Sequence, residues 1–128
     1  MRLLLDTHAL LWWLAGDENL SSEARRAVGD ETTTVIVSAV CAYEIALKHR
    51  LGKLPDASLV VQTFEATLER QGFDSLPISI PHALRAGRLP LTHRDPFDRL
   101  LIAQALIDDL TLVSNERRFD DFGVKRLW

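Results

Sequence analysis

The stretch from Arg2 to Gly16 reads RLLLDTHALLWWLAG, and its pattern decides the fold. A short apolar run ends at the acid Asp6, which predicts a buried strand. The apolar segment after Asp6 predicts a helix, and Gly16 is typical of a helix end. Strands and helices alternate in the same way along the rest of the chain. We therefore predict an α/β domain with a parallel sheet covered on both faces.

The remaining elements follow from apolar runs, glycines and prolines. Further strands are predicted over 33–37, 73–80 (interrupted by Pro77), 110–114 and 124–128. Helices are predicted over 22–29, 39–50, 55–70, 81–87 and 96–109. In the helix over 39–50, the periodicity predicts that one face packs inward, formed by Val40, Tyr43, Leu47 and Leu51.

Length and composition limit the classes of protein. The 128 residues fit one domain, 1–128, and hydrophobic residues make up 47% of them, which is typical of a globular protein. A net charge of −3 excludes a generally basic surface for nucleic acid, so such contacts need a local Arg and Lys cluster. The single cysteine, Cys41, excludes an internal disulfide. With no signal-peptide core and no apolar stretch of membrane-spanning length, we expect a cytoplasmic protein with no membrane partner.

Acidic residues stand at strand ends and helix starts. Asp6 follows the first strand, and ligand sites in parallel α/β sheets lie outside the carboxyl ends of the strands. Asp95 and Asp98 lie in HRDPFDR, before and within the first turn of a predicted helix. Helix capping by these residues explains the same positions, with Pro96 at the first helical position. Both interpretations stay open for each of these acids taken alone.

Two further acids are more ambiguous. Glu44 lies in the middle of an apolar helix, where a buried carboxylate without a partner is costly. An ion pair with Lys48, one turn later, is the structural alternative. Glu116 follows the late strand, in LVSNERRF, and a surface turn explains it equally well.

Together, these acids predict a metal site if they converge. Like charges at close range resist joint ionisation, and a divalent cation removes that conflict. Oxygen ligands without a histidine or cysteine cluster favour Mg²⁺ or Mn²⁺ over Zn²⁺. Such an ion would activate water for attack on a phosphodiester. The arginines that flank these acids would contact phosphate groups, or would neutralise neighbouring carboxylates within the fold; we single out Arg94, Arg99 and Arg117.

Four segments resemble the PIN-domain family, and the resemblance is closest to its VapC-type toxins. They read LLLDTHALLWWL, VSAVCAYEIALK, LPLTHRDPFDRLLIAQA and LTLVSNERRFDDFGV, in the family's order and over nearly the whole chain. The resemblance implies a three-layer α/β/α fold with a mainly parallel sheet of about five strands. It also implies a metal-dependent endoribonuclease that is masked by a small antitoxin protein, and a homodimer. With these partners, Arg94, Arg99 and Arg117 would contact RNA or the antitoxin.

Site residues follow from the resemblance position by position. It implies catalytic and metal-ligating roles for Asp6, Glu44, Asp95 and Asp98. Glu116 matches a position that often carries an aspartate, so its longer side chain leaves its role as a ligand open. Thr7 and Ser114 match small hydroxyl residues that support the site.

Other functions remain as alternatives. A PIN-type nuclease in RNA processing would need no antitoxin. A phospho-accepting regulatory domain needs an acceptor aspartate after a middle strand and a lysine after a late strand, whereas this chain has Ser38-Ala39 and LVSNERR there. A binding module without catalysis would not need the full set of acids. The sequence leaves the RNA target open.

Overall fold

The strand at the start of the chain forms the centre of a five-stranded sheet in the computed structural model, which describes residues 1–128. The strands are β1 (Arg2–Leu5), β2 (Thr34–Ser38), β3 (Asp74–Leu76), β4 (Thr111–Val113) and β5 (Lys125–Leu127). Their order in the sheet is β3-β2-β1-β4-β5, and all four pairings are parallel. The predicted α/β class and parallel sheet are confirmed.

Helices connect successive strands and cover the sheet. They are α1 (Thr7–Ala15), α2 (Ser22–Gly29), α3 (Ala39–Arg50), α4 (Ser58–Gln62), α5 (Phe64–Gln71), α6 (Ile80–Arg88) and α7 (Pro96–Ile107). Two 3-10 segments, Pro55–Ala57 and Arg117–Phe122, complete the order. None of the helices has the length and apolar character needed to cross a membrane.

The core surrounds β1. Leu3, Leu4 and Leu5 are all fully buried, which explains why this strand is continuously apolar rather than alternating. Both neighbours hydrogen-bond to it: Leu5 is in register with Val37 of β2 on one side and with Val113 of β4 on the other. The carboxyl ends of these three strands therefore meet at one edge of the sheet.

The inward face of α3 differs from the prediction. Tyr43 and Leu51 are 62% and 58% exposed, whereas Cys41, Glu44 and Ile45 are buried. The prediction for Tyr43 and Leu51 is therefore wrong. Apolar residues surround most of this helix, so periodicity alone does not select the face that packs against the sheet.

Two other segments form shorter elements than predicted. The helix over 55–70 begins as the 3-10 segment, and Thr63, with a non-helical backbone of φ −123° and ψ 30°, separates α4 from α5. The strand over 73–80 shortens to β3, since Pro77 has no N–H to donate to a neighbouring strand and Ser79 already caps α6.

Candidate active site at the carboxyl edge of the sheet

Asp6 lies at the centre of the edge where β1, β2 and β4 end. Its amide donates to the carbonyl of Val113 at 3.1 Å, which ties the end of β1 to β4. Its Oδ1 accepts from the amide of Ala9 at 2.7 Å, so Asp6 is also the N-cap of α1. Asp6 is 9% exposed, and burial is the main reason that its carboxyl pKa is raised.

Glu44 reaches the same edge from α3. It is 6% exposed, which makes it one of the few buried acids in the chain. Its Oε1 accepts a hydrogen bond from the Thr7 hydroxyl at 2.5 Å, and its Oε2 lies 2.5 Å from the Lys48 ammonium. The ion pair that the sequence offered as an alternative is therefore present, on a carboxylate that is nevertheless buried. Thr7, the first residue of α1 after Asp6, thus connects the end of β1 to Glu44.

Asp95 and Asp98 enter from the start of α7. Asp95 is exposed and caps the helix: its Oδ1 accepts from the amides of Phe97 and Asp98 at 2.9 and 3.2 Å. The Asp98 carboxylate does not close a capping box, because its Oδ2 lies 2.8 Å from Nε2 of His93. His93 is buried against Phe119 and Phe122. The contact between His93 and Asp98 joins the loop before α7 to the first turn of this helix, and the sequence pattern does not predict it.

The charge of Glu44 acts on both Asp6 and Asp98, and the charge of Asp95 acts on Asp98. Desolvation raises the pKa of Asp98 to about 6, and the nearby Asp95 and Glu44 charges add to the rise, while His93 opposes it. The Glu44 charge also raises the pKa of Asp6, against an opposing interaction with the Ser114 side chain. Glu44 is thus the common neighbour of Asp6 and Asp98. Ser114 is fully buried beside Asp6 at the end of β4, in a position to support it.

Glu116 is placed differently. It caps the second 3-10 segment, where its Oε1 accepts from the amide of Arg118 at 3.2 Å. The Arg118 guanidinium also holds the Glu116 carboxylate and lowers its pKa. Glu116 faces an arginine rather than the other acids, so the structure favours the surface-turn interpretation.

Arg99 requires a correction. The sequence offers two roles for it, contact with RNA or an antitoxin and neutralisation of a neighbouring carboxylate, and the structure shows neither. Arg99 is 8% exposed, and its guanidinium donates five hydrogen bonds to backbone carbonyls. The acceptors are the carbonyls of Ala86, Gly87, Leu89, Pro90 and His93. Arg99 therefore fixes the loop between α6 and α7. Arg94 and Arg117, by contrast, are exposed and remain available to a partner.

The types of side chain at this edge of the sheet suit a divalent cation. Asp6, Glu44 and Asp98 supply only oxygen ligands, and Asp6 and Asp98 have raised pKa values that a cation would reverse. In the arrangement described, however, no three carboxylate, histidine or cysteine side chains are placed to hold one ion together. Glu44 is turned onto Thr7 and Lys48 instead.

A family model of the PIN domain matches residues 3–125, which is nearly the whole chain. The chain belongs to the PIN domain family. A relative named Ribonuclease VapC22, from Mycobacterium tuberculosis, is 29% identical over 117 residues, covering 91% of this chain and 88% of its own.

Solved structures support the same fold. VapBC2 from Rickettsia felis, bound to a DNA fragment from its promoter, matches with a TM-score of 0.68 at 16% identity and covers 99% of this chain and 98% of its own. VapBC-1 from nontypeable Haemophilus influenzae matches with a TM-score of 0.69 at 15% identity, with coverage of 99% and 97%. At these identities the likeness concerns the fold.

Proposed function

We propose that this PIN-domain protein is a metal-dependent endoribonuclease that acts as the toxin of a toxin–antitoxin pair. The observation that carries the proposal is the placement of Asp6, Glu44 and Asp98 at the carboxyl edge of the sheet, where the Glu44 charge adds to the rise that burial causes in the pKa of Asp6 and of Asp98. The names of its relatives, a ribonuclease and VapBC assemblies, support the same activity and an antitoxin partner.

Each residue has a distinct role in this proposal. Asp6, Glu44, Asp95 and Asp98 would hold Mg²⁺ or Mn²⁺, with Glu116 a weaker candidate. When bound, such an ion lowers the pKa of water and offsets charge on the scissile phosphate. Thr7 holds the Glu44 carboxylate through a hydrogen bond, and His93 orients Asp98.

The substrate must approach an acidic edge. Arg94 and Arg117 are exposed on the segments that flank Asp95 and Ser114, and their charges suit phosphate contacts with RNA or an acidic stretch of an antitoxin. Single-stranded RNA can bring its phosphates close to the arginines at this edge of the sheet. A homodimer is part of the proposal, and size-exclusion chromatography with light scattering tests it.

The decisive experiment is RNA cleavage by purified protein with Mn²⁺, with and without a chelator. We expect cleavage to require the metal and to be lost in Asp6→Asn and Asp95→Asn, while circular dichroism shows an unchanged fold. Asp109→Asn is the matched control, because Asp109 is exposed before β4, at the opposite edge of the sheet, and its φ of 53° suits asparagine. Full metal-dependent cleavage by either site variant would refute the assignment.

A nuclease without an antitoxin is the second candidate. Growth arrest on expression, relieved by coexpression of a small protein encoded directly upstream, would distinguish the toxin from it. Mapping the cleavage ends on total cellular RNA would identify the target.

A further inference from the structure

We propose that Lys48 is the counter-ion of Glu44 while the site is free of metal, and that it leaves this carboxylate when a divalent ion binds. Lys48 is then a positioning residue that sets how tightly the site takes up its metal. The inference rests on the proposed function, because it assumes that Glu44 is a metal ligand.

The contacts of Glu44 carry the first step. Its two carboxylate oxygens have different partners, the Thr7 hydroxyl on Oε1 and the Lys48 ammonium on Oε2. Without Lys48, this buried carboxylate would keep one neutral hydrogen bond and no opposite charge in contact. A buried charge in that state is costly, so the lysine stabilises the empty site.

The pair differs from the other ion pairs of the chain. The Glu44 side chain is 7% exposed, whereas the carboxylates paired with Arg118, Lys125 and Arg126 are 38%, 81% and 52% exposed. Exposed pairs of that kind contribute little. Only Lys48 brings a lysine or arginine charge into contact with a buried acid.

The two partners of Glu44 respond differently to an incoming cation. The Thr7 hydroxyl is neutral, and a carboxylate oxygen has a second lone pair, so this hydrogen bond is compatible with metal binding. The Lys48 ammonium is a positive charge in contact with Oε2, an oxygen that Glu44 would offer to a divalent ion, so it would repel that ion.

Lys48 is also able to leave. Its side chain is 29% exposed, and its flexible stem lets the ammonium reach water without movement of α3. Its departure would leave Oε2 of Glu44 free to act as a metal ligand. The buried Arg99, with five carbonyl partners, has no comparable freedom.

The test measures metal binding in the absence of RNA. We expect Lys48→Met to bind Mn²⁺ about 3- to 10-fold more tightly than the wild type in isothermal titration calorimetry, because one repelling charge is removed. Lys48→Arg should stay close to the wild type. Lys125→Met is the matched control, since it removes a lysine from an exposed pair with Asp109 and should leave the affinity unchanged.

A second readout uses the wild-type protein, so it does not depend on how the variants fold. Mass spectrometry after brief treatment with an amine-reactive reagent should show faster labelling of Lys48 when Mn²⁺ is present, and unchanged labelling of Lys125. In thermal unfolding with a chelator, Lys48→Met should melt below the wild type, and excess Mn²⁺ should close the gap.

The outcomes separate this inference from the proposed function. If Lys48→Met bound Mn²⁺ no more tightly than the wild type, the proposed exchange of Lys48 for the metal ion would be overturned. The same conclusion would follow if the labelling rate of Lys48 did not change on addition of Mn²⁺. Tighter binding by Lys48→Met in a protein that cleaves no RNA would support the exchange and refute the nuclease. Absence of Mn²⁺ binding in every variant would overturn the exchange together with the metal site.

Discussion

Replacing Arg99 with methionine should strongly destabilise the fold. This is not what the sequence suggests, because a charged residue next to a candidate site is usually expected to be exposed. The guanidinium joins the end of α6 to the loop before α7 through five carbonyls. Methionine fills much of the same space but donates no hydrogen bond. The perturbation therefore isolates the donors from the packing of the stem.

The magnitude follows from the burial of the acceptors. Gly87 and Pro90 are exposed and Leu89 is partly buried, so their carbonyls can be hydrated after the change, whereas Ala86 and His93 are buried. Each hydrogen bond from a charged donor is worth about 1.5 to 3 kcal/mol, and the bonds are not additive. Losing the two buried ones fully and the others in part gives a loss of about 3 to 5 kcal/mol in the free energy of unfolding.

Urea unfolding followed by tryptophan fluorescence in the presence of a chelator measures this loss. Arg99→Lys should lose less, because it retains the charge and up to three donors. Arg118→Met is the control, since its guanidinium is exposed, and we expect no measurable change. A loss below about 1 kcal/mol for Arg99→Met would refute the reasoning, because buried carbonyls cannot lose a charged donor at so small a cost.

Two further predictions concern the acids. Thr7→Val should lower the free energy of unfolding by about 1.5 to 3 kcal/mol, since it removes a buried hydrogen bond to Glu44, and Thr7→Ser should recover most of the loss in the same urea assay. The pKa of Asp98, about 6 in the folded protein against 3.8 for the free side chain, means that the folded state binds more protons between these values. The free energy of unfolding of the metal-free protein should therefore fall as pH rises through that window, and Asp98→Asn should remove this part of the fall; parallel pH profiles for the two proteins would contradict it.

The sequence predicts the sheet well because β1 is a strong local signal. A short uninterrupted run of leucines that ends at an acid has few structural alternatives, and β2 and β4 are likewise short apolar runs. Strand ends and helix starts mark Asp6, Asp95 and Asp98 as candidate site residues, whereas Glu44 lies within α3. Their roles as metal ligands stay a prediction. The boundaries between 55 and 80 were less predictable, because the break at Thr63 depends on backbone geometry that no glycine or proline announces.

The orientation of side chains was harder to predict than their positions. Whether Tyr43 or Glu44 faces the sheet depends on how α3 leaves β2, and both residues lie in an apolar segment. Arg99 shows the same limit: a charge beside other charges suggests an exposed site, yet the Arg99 guanidinium is buried among five carbonyls from the end of α6 and the loop before α7. His93 and Asp98 meet only because α7 and its preceding loop fold together.

The central place of β1 also bears on how the protein folds. β1 pairs with β2 on one side and with β4 on the other, and its pairing with β4 joins Leu3 to Thr111, which lie far apart in the sequence. Asp6 gains its contact with Val113 only when this pairing forms. Closing so long a loop costs chain entropy, so the edge of the sheet that carries the candidate site is completed by a long-range contact and not by local structure.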